Sequence, residues 1–323
     1  MITERIREMT IGSFFKLVEI QTKAASVIPF AIGTCYAVYR FDAFDTFNFF
    51  LMLISLLAID MATTAINNYQ DYKKAYVRHG FGYESHNAIV RDSLGEGAVK
   101  AAVAVLLSIA VLFGFLLFLQ TDLTVLAVGG ASFLFAVLYS VGPVSISRTP
   151  FGEIFSGGFM GFVIPFLAVH IHVARDTIAY ISIEGWRLAG ELDLTEAFLL
   201  FLVAMPAMTG IANIMLANNI CDMEDDLENR RYTLPIMIGR EKALKVYTLL
   251  YAAGGAAVIA AVILEALPLI ALAVLAAVLP VHANIAVFMK KQTKDETFVT
   301  SVKNFVLINS GLAVAIGAGI IFF

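Results

Sequence analysis

A chain of 323 residues in which 59% are hydrophobic and only 15% are charged, with a mean hydropathy of +0.83, lies far outside soluble globular composition. The net charge of −4 says little about partners, and nucleic acid is not expected among them. The two cysteines, Cys35 and Cys221, fall on opposite sides of the topology drawn below and imply no disulfide framework.

A membrane span needs about 20 mostly apolar residues. Runs of that kind occur at roughly 20–39, 46–68, 98–119, 123–142, 154–174, 196–218, 243–264, 267–289 and 303–322. Helices satisfy their own backbone hydrogen bonds in lipid, so the predicted fold class is all-α: a polytopic integral membrane protein of about nine transmembrane helices. Lys23 in the first run and the Gly/Pro-rich GGFMGFVIP stretch in the fifth interrupt otherwise plain patterns. Residues 1–15 are charged and amphipathic, without the apolar core or small-residue cleavage site of a signal peptide. No linker composition divides the chain, so residues 1–323 are expected to form one domain.

Nineteen of the 22 basic residues fall in the N-terminal segment and the even-numbered loops, against Arg40, Arg175 and Arg187 in the others. The positive-inside rule then places the N-terminus in the cytoplasm. The connection 175–195 lies on the opposite side and carries mostly acids among its charges. His170 and His172, two apart near the end of the fifth run, read as interfacial, and no histidine has a partner at metal-ligand spacing.

Two cytoplasmic loops carry the chemistry, at about 69–97 and 219–242. Each opens on an Asn pair at a span end, NNYQD at 67–71 and NNICD at 218–222. In the second, Asp222, Glu224, Asp225, Asp226 and Glu228 place five carboxylates in seven positions after an apolar run. Asn218, Asp222 and Asp226 stand at i, i+4 and i+8, drifting by about 80° around a helix, so they share a face. Like charges at that spacing repel, and a cation removes the penalty. Asn67 and Asp71 repeat the i, i+4 relation, followed by Lys73, Lys74 and Arg78.

Two sets of oxygen ligands backed by Lys and Arg suit a diphosphate held between Mg²⁺ ions and basic side chains. Mg²⁺ is bound by few carboxylates together with water and phosphate oxygens, and Lys and Arg take the remaining oxygens. Asp71, Asp222 and Asp226 are the expected catalytic residues, and Asn67, Asp71, Asp222 and Asp226 the expected metal ligands. Glu224 and Glu228 point elsewhere and read as solvated. Arg91, Arg230 and Arg231 are candidate phosphate or carboxylate ligands. Tyr139 and Arg148 flank the turn-forming segment YSVGPVSISRTPFGE on the same side as the aspartates. Glu153 there is either a ligand or a helix N-terminal charge. Asp60, in LLAIDMATT, is the one acid placed deep in a span, as a hydrogen-bonded or pocket-shaping residue.

NNYQDYKK and NNICDMEDD followed by RRYTLP resemble the two aspartate-rich motifs of the UbiA superfamily of intramembrane prenyltransferases, and YSVGPVSISRTPFGEIFSG resembles its Tyr-Ser-x-Gly-Pro segment. The resemblance runs from about residue 16 to the C-terminus and is greatest to the branch that prenylates 1,4-dihydroxy-2-naphthoate in menaquinone synthesis. Asn68 stands where many members carry the leading Asp of the first motif, and Ala75 where many carry a further Asp, which leaves the number of Mg²⁺ ions open. The resemblance implies a central cavity with a cytoplasmic cap, Mg²⁺ as cofactor, and a polyprenyl diphosphate, an aromatic acceptor and the lipid bilayer as partners. It also implies substrate contacts from Asn67, Asn68, Lys73, Lys74, Arg78, Arg91, Tyr139, Arg148, Asn218, Arg230 and Arg231, and a cytoplasm-facing active site in a prokaryotic cell membrane. Other acceptors, 4-hydroxybenzoate or homogentisate, are the nearest alternative. A cation-coupled secondary transporter is the alternative of another class, although its acids are expected near the midplane rather than at span ends.

Overall fold

Residues 9–74, 87–140 and 146–322 are described by a computed structural model. Among them, eight helices are long and apolar enough to cross a membrane, and Leu123–Tyr139 is a shorter apolar helix between the third and fourth. These match the nine apolar runs of the sequence. The chain is an all-α polytopic membrane protein.

Thr10 caps a short helix, α1 (Ile11–Leu17), through a reciprocal pair with Ser13. The spanning helices follow: α2 (Ala24–Phe41), α3 (Thr46–Lys74), then, after the single turn α4 (Ala88–Arg91), α5 (Glu96–Gln120) and α6 (Leu123–Ser140). The fifth span is built in pieces, α7 (Gly152–Gly158), a π turn (Phe159–Val163) and α8 (Ile164–His170). α9 (Leu194–Cys221) is followed by two short helices, α10 (Met223–Glu228) and α11 (Leu234–Ile238). Three spans remain: α12 (Arg240–Ile263), a 3₁₀ segment (Leu269–Ala277) running into α13 (Val278–Lys290), and α14 (Val299–Phe322).

α9 is the central helix. One of its faces packs Leu200, Val203 and Ala207 with Tyr36 of α2 and Leu312 and Ile316 of α14. Further along, Leu216 and Ile220 pack with Tyr247 of α12 and Phe288 of α13. The glycines of the fifth span explain its broken form: a Cβ on Gly161 would sit 2.3 Å from the Met208 Cα, and one on Gly157 2.7 Å from the Met208 carbonyl oxygen. Only glycine lets α7 and the π turn approach α9 so closely.

Lys23 interrupts the first apolar run without exposing it. Its ammonium is buried and donates to Asp60 Oδ1 at 2.6 Å, to the Asp60 carbonyl at 3.1 Å and to Thr64 Oγ1 at 2.8 Å, while Ser26 Oγ donates to Asp60 Oδ2 at 2.5 Å. Asp60 is therefore the anion of a ion pair joining α2 to α3. The histidines depart from the interfacial reading. Both are buried, with His170 Nε2 3.0 Å from Asp122 Oδ2 and His172 Nδ1 accepting from the Asp45 amide at 3.0 Å. A polar side chain can enter a packed bundle end when a partner arrives from a distant helix, and that is information a local pattern lacks. The acidic connection before α9 also holds an element the periodicity does not announce, an antiparallel hairpin of β1 (Ala179–Glu184) and β2 (Arg187–Leu192).

Candidate active site

Consecutive spans alternate in direction, so the C-terminal ends of α3 and α9, the second and sixth spans, lie at the same end of the bundle. Those ends carry the two Asn-x-x-x-Asp elements.

On α3, Asp60, Thr64, Asn67 and Asp71 recur at i, i+4, i+7 and i+11 and form one polar stripe. Its deep end is neutralised by Lys23; its outer end holds half-buried Asn67 and exposed Asp71. Tyr69 and Lys73 lie on the other side of the helix and face α5. There the Tyr69 hydroxyl donates to Glu96 at 3.0 Å and Lys73 Nζ to the same carboxylate at 2.5 Å. The structure thus commits Lys73 to Glu96 rather than to the Asp71 row.

Asn68 is buried and serves as a bracket. Its amide nitrogen donates to the Leu17 carbonyl at 2.9 Å and to Glu19 at 3.2 Å, and its own carbonyl accepts from Asn87 at 2.7 Å. This ties the N-terminal segment and the turn before α4 to the end of α3. Arg91, at the end of α4, is exposed, with Nε 3.4 Å from Asp92. Lys74 closes α3. Arg78 and Ala75 lie outside the described residues.

The second cluster is more closely built. α9 ends at Cys221, yet the i to i+4 backbone bonds continue through the junction, Asp222 N to Asn218 O at 3.1 Å and Asp226 N to Asp222 O at 2.7 Å. Asn218, Asp222 and Asp226 therefore line up as their spacing requires. Asp222 is ion-paired to Lys294, which comes from the segment between α13 and α14. Asp226 is buried on the inner side of α10, where Arg231 Nε lies 3.2 Å from Oδ1 and Thr233 Oγ1 donates to Oδ2 at 3.3 Å. Glu224, Asp225 and Glu228 are exposed.

A carboxylate taken from water is costly unless paired. Burial pushes the Asp226 carboxyl up from 3.8 to about 6; Arg231 opposes the rise and the neighbouring Asp222 reinforces it. One guanidinium does not fully offset that burial. The donor set, two carboxylates and an amide oxygen on one helical face, is the kind Mg²⁺ accepts while keeping sites for water and phosphate. Among the described residues, no three His, Cys, Asp or Glu side chains converge into a complete protein cage.

The Gly/Pro connection joins this cluster. The Arg148 carbonyl accepts from the Tyr232 amide at 3.0 Å, fastening the turn before α7 to the strand of chain that carries Arg230 and Arg231. The Tyr139 hydroxyl lies 3.1 Å from Ser156 Oγ, and Ser156 donates to the Gly152 carbonyl at 2.6 Å. Glu153, in the first turn of α7, is buried and accepts from the Asn219 amide at 2.8 Å. Its other oxygen, and the Asn219 carbonyl oxygen, have no hydrogen-bond partner among the described residues.

The residues that sequence reasoning passed over are Lys294 and Asn219. Nothing in KKQTKDE marks Lys294, because its partner is on α9 and only the folded bundle joins them. Asn219 did carry a signal, as the second member of the NN pair, and the burial of that helix face against α7 is what makes it count.

Known proteins resemble this chain in sequence and in fold. A 1,4-dihydroxy-2-naphthoate octaprenyltransferase of Bacillus subtilis is 30% identical over 233 residues, 71% of this chain and 67% of its own length. Solved structures share the fold at low identity. A UbiA homologue from Aeropyrum pernix is 20% identical with a TM-score of 0.64 over 98% of each chain. A UbiA homologue from Archaeoglobus fulgidus, bound to GPP and Mg²⁺, is 14% identical with a TM-score of 0.64 over 95% of this chain and 99% of that one. The UbiA prenyltransferase family model matches residues 26–309, a stretch that holds both aspartate clusters and the connection between them, and the chain belongs to that family.

Proposed function

We propose that the protein transfers a polyprenyl group from polyprenyl diphosphate to an aromatic acceptor, with Mg²⁺ as cofactor and 1,4-dihydroxy-2-naphthoate as the acceptor. The observation that carries this is the aligned Asn218–Asp222–Asp226 face with Lys294 and Arg231 held against its two aspartates. The naphthoate octaprenyltransferase relative supports the choice of acceptor. The bound GPP and Mg²⁺ of the Archaeoglobus protein support the donor and the metal.

Asn67 and Asp71 on α3, and Asp222 and Asp226 at the end of α9, are the residues that would hold Mg²⁺. When bound, the metal neutralises diphosphate oxygens and so stabilises the leaving group. The chain's own cations do the same work from the other side. Lys294 and Arg231, each paired with one of the aspartates, would take diphosphate oxygens once those carboxylates hold the metal. Arg230, Arg148 and Arg91 belong to the same basic end, whereas Lys73 is held by Glu96 and Arg78 lies outside the described residues.

Cleavage of the C1–O bond leaves an allylic cation and diphosphate. The electron-rich ring of the acceptor attacks the cation at the carbon bearing the carboxylate. Loss of CO₂ from that carbon returns the electron pair to the ring, so the carboxylate is the group displaced and no separate base is required. The isoprenoid chain lies among the spans, with the whole chain acting as one catalytic domain. The distribution of Lys and Arg supports a cytoplasmic active site and N-terminus in a prokaryotic cell membrane.

The test is to supply the purified protein with labelled polyprenyl diphosphate, Mg²⁺ and, in parallel, 1,4-dihydroxy-2-naphthoate, 4-hydroxybenzoate and homogentisate. Product and stoichiometric CO₂ with the naphthoate alone support the reading. Product only with another acceptor discards the naphthoate assignment and keeps prenyl transfer.

A further inference from the structure

The hairpin between α8 and α9 is amphipathic in a way its role as a connection does not require. Successive strand residues point to opposite faces, and directly paired residues share one. The register pairs Ala179 with Leu192, Ile181 with Gly190 and Ile183 with Leu188, so one face is wholly apolar. Tyr180, Ser182, Arg187 and Glu191 stand on the other. At the tip, Gly185 at φ +66° makes the two-residue turn and presents Trp186, the chain's single tryptophan, fully exposed.

The base of the hairpin is fixed. Ile178 is fully buried, the Asp193 amide donates to the Ile178 carbonyl at 2.8 Å, and the Ile181 amide donates to Thr124 Oγ1 of α6 at 3.0 Å. Its outer part is uncovered: Ile183 is 64% exposed and Leu188 74%. A small two-stranded sheet gains nothing by holding such side chains in water. Leu192 leads directly into exposed Leu194 and Phe198 at the start of α9, so apolar surface continues from a spanning helix onto the hairpin.

We infer that the hairpin is a membrane-interface anchor. It lies with its apolar face and Trp186 in the boundary between headgroups and acyl chains, at the end of the bundle opposite the aspartates. One foot runs through Asp193 into α9 and the other is held by buried Ile178, which keeps the hairpin at that depth, and tryptophan is the side chain best suited to it. The charged residues of the other face remain in water. The anchor fixes how deeply α8 and α9 sit, and α9 carries the second acid cluster at its far end.

Trp186 is its own probe, since no other tryptophan contributes. The protein is reconstituted into phosphatidylcholine vesicles with the hairpin side facing outward, and its emission is recorded with aqueous iodide and with lipids brominated near the glycerol end of the chain. The expected result is blue-shifted emission, quenched by the brominated lipid and weakly by iodide. In the double variant Ile183→Asp, Leu188→Asp, the emission moves to the red, quenching by brominated lipid is lost and iodide quenching rises. Binding of prenyl diphosphate by that variant shows that the bundle is intact. Water-like emission and strong iodide quenching in the unaltered protein would overturn the inference. So would protection from both quenchers, which would mean that protein, such as a second copy of the chain, covers the tip.

Discussion

Lys294 reaches from the segment between α13 and α14 to the carboxylate of Asp222, 72 residues earlier in the sequence. The pair closes the last two spans onto the acid-bearing end of α9. On the proposed function Asp222 would help hold Mg²⁺, and Lys294 would then be free to meet diphosphate oxygens. Lys294→Ala is expected to raise KM for the prenyl diphosphate by about 10- to 100-fold, because one charge-assisted hydrogen bond contributes about 1.5–3 kcal/mol. Lys294→Arg retains most of that affinity. Steady-state kinetics against the diphosphate decide it, and an unchanged KM in Lys294→Ala rejects the assignment.

The alignment of Asn218, Asp222 and Asp226 separates the acids of one short stretch into two groups. Asp222→Asn and Asp226→Asn each remove a proposed metal ligand and are expected to lower kcat/KM by about 100-fold or more. Asp225→Asn and Glu228→Gln alter exposed side chains and leave the rate within about twofold. Equal losses across all four variants would mean that net charge, rather than a defined ligand face, is what matters.

The raised pKa of Asp226 gives the metal site a pH dependence. Burial moves this carboxyl from 3.8 to about 6, so the metal-free folded protein holds a proton there more tightly than the unfolded chain does. The metal-free protein is therefore stabilised at Asp226 as pH falls through about 6, whereas Mg²⁺ must displace the proton. Calorimetric titration with Mg²⁺ is expected to give weaker affinity at about pH 5 than at about pH 7, with proton release at the lower value. Affinity that stays flat across this range contradicts the role given to Asp226.

The Lys23–Asp60 pair makes a stability prediction of a different kind. Removing one partner of a buried ion pair strands the other charge and costs about 3–5 kcal/mol, whereas replacing both by apolar residues is often nearly neutral. Lys23→Leu is thus expected to lower the unfolding temperature in detergent markedly, and Lys23→Leu combined with Asp60→Leu to recover most of the loss. A double variant no better than Lys23→Leu alone would show that Thr64 and Ser26, rather than the charges, carry the contact.

The spans were legible because lipid forces the apolar run and the helix to coincide; length and hydropathy suffice for that. The acid clusters were legible because each lies within one or two helical turns, where spacing fixes the face. Residues whose partners are remote were not legible. Lys294 meets Asp222, Asn219 meets Glu153 and His170 meets Asp122 only after the helices pack. Lys73 illustrates the same limit from the other direction. It stands two residues from Asp71, yet on the far side of α3, where Glu96 takes it. The hairpin escaped because its alternating apolar residues are few and sit in a connection with mostly acidic charges.

The most direct test is prenyl transfer to 1,4-dihydroxy-2-naphthoate by purified protein, with Mg²⁺ and with chelator, beside Asp71→Asn and Asp222→Asn. The account predicts product and CO₂ only in the presence of Mg²⁺, with a large loss in each variant, since the proposed site draws one set of ligands from α3 and the other from the end of α9. Transfer that survives chelation, or that is unaffected by both substitutions, would contradict it.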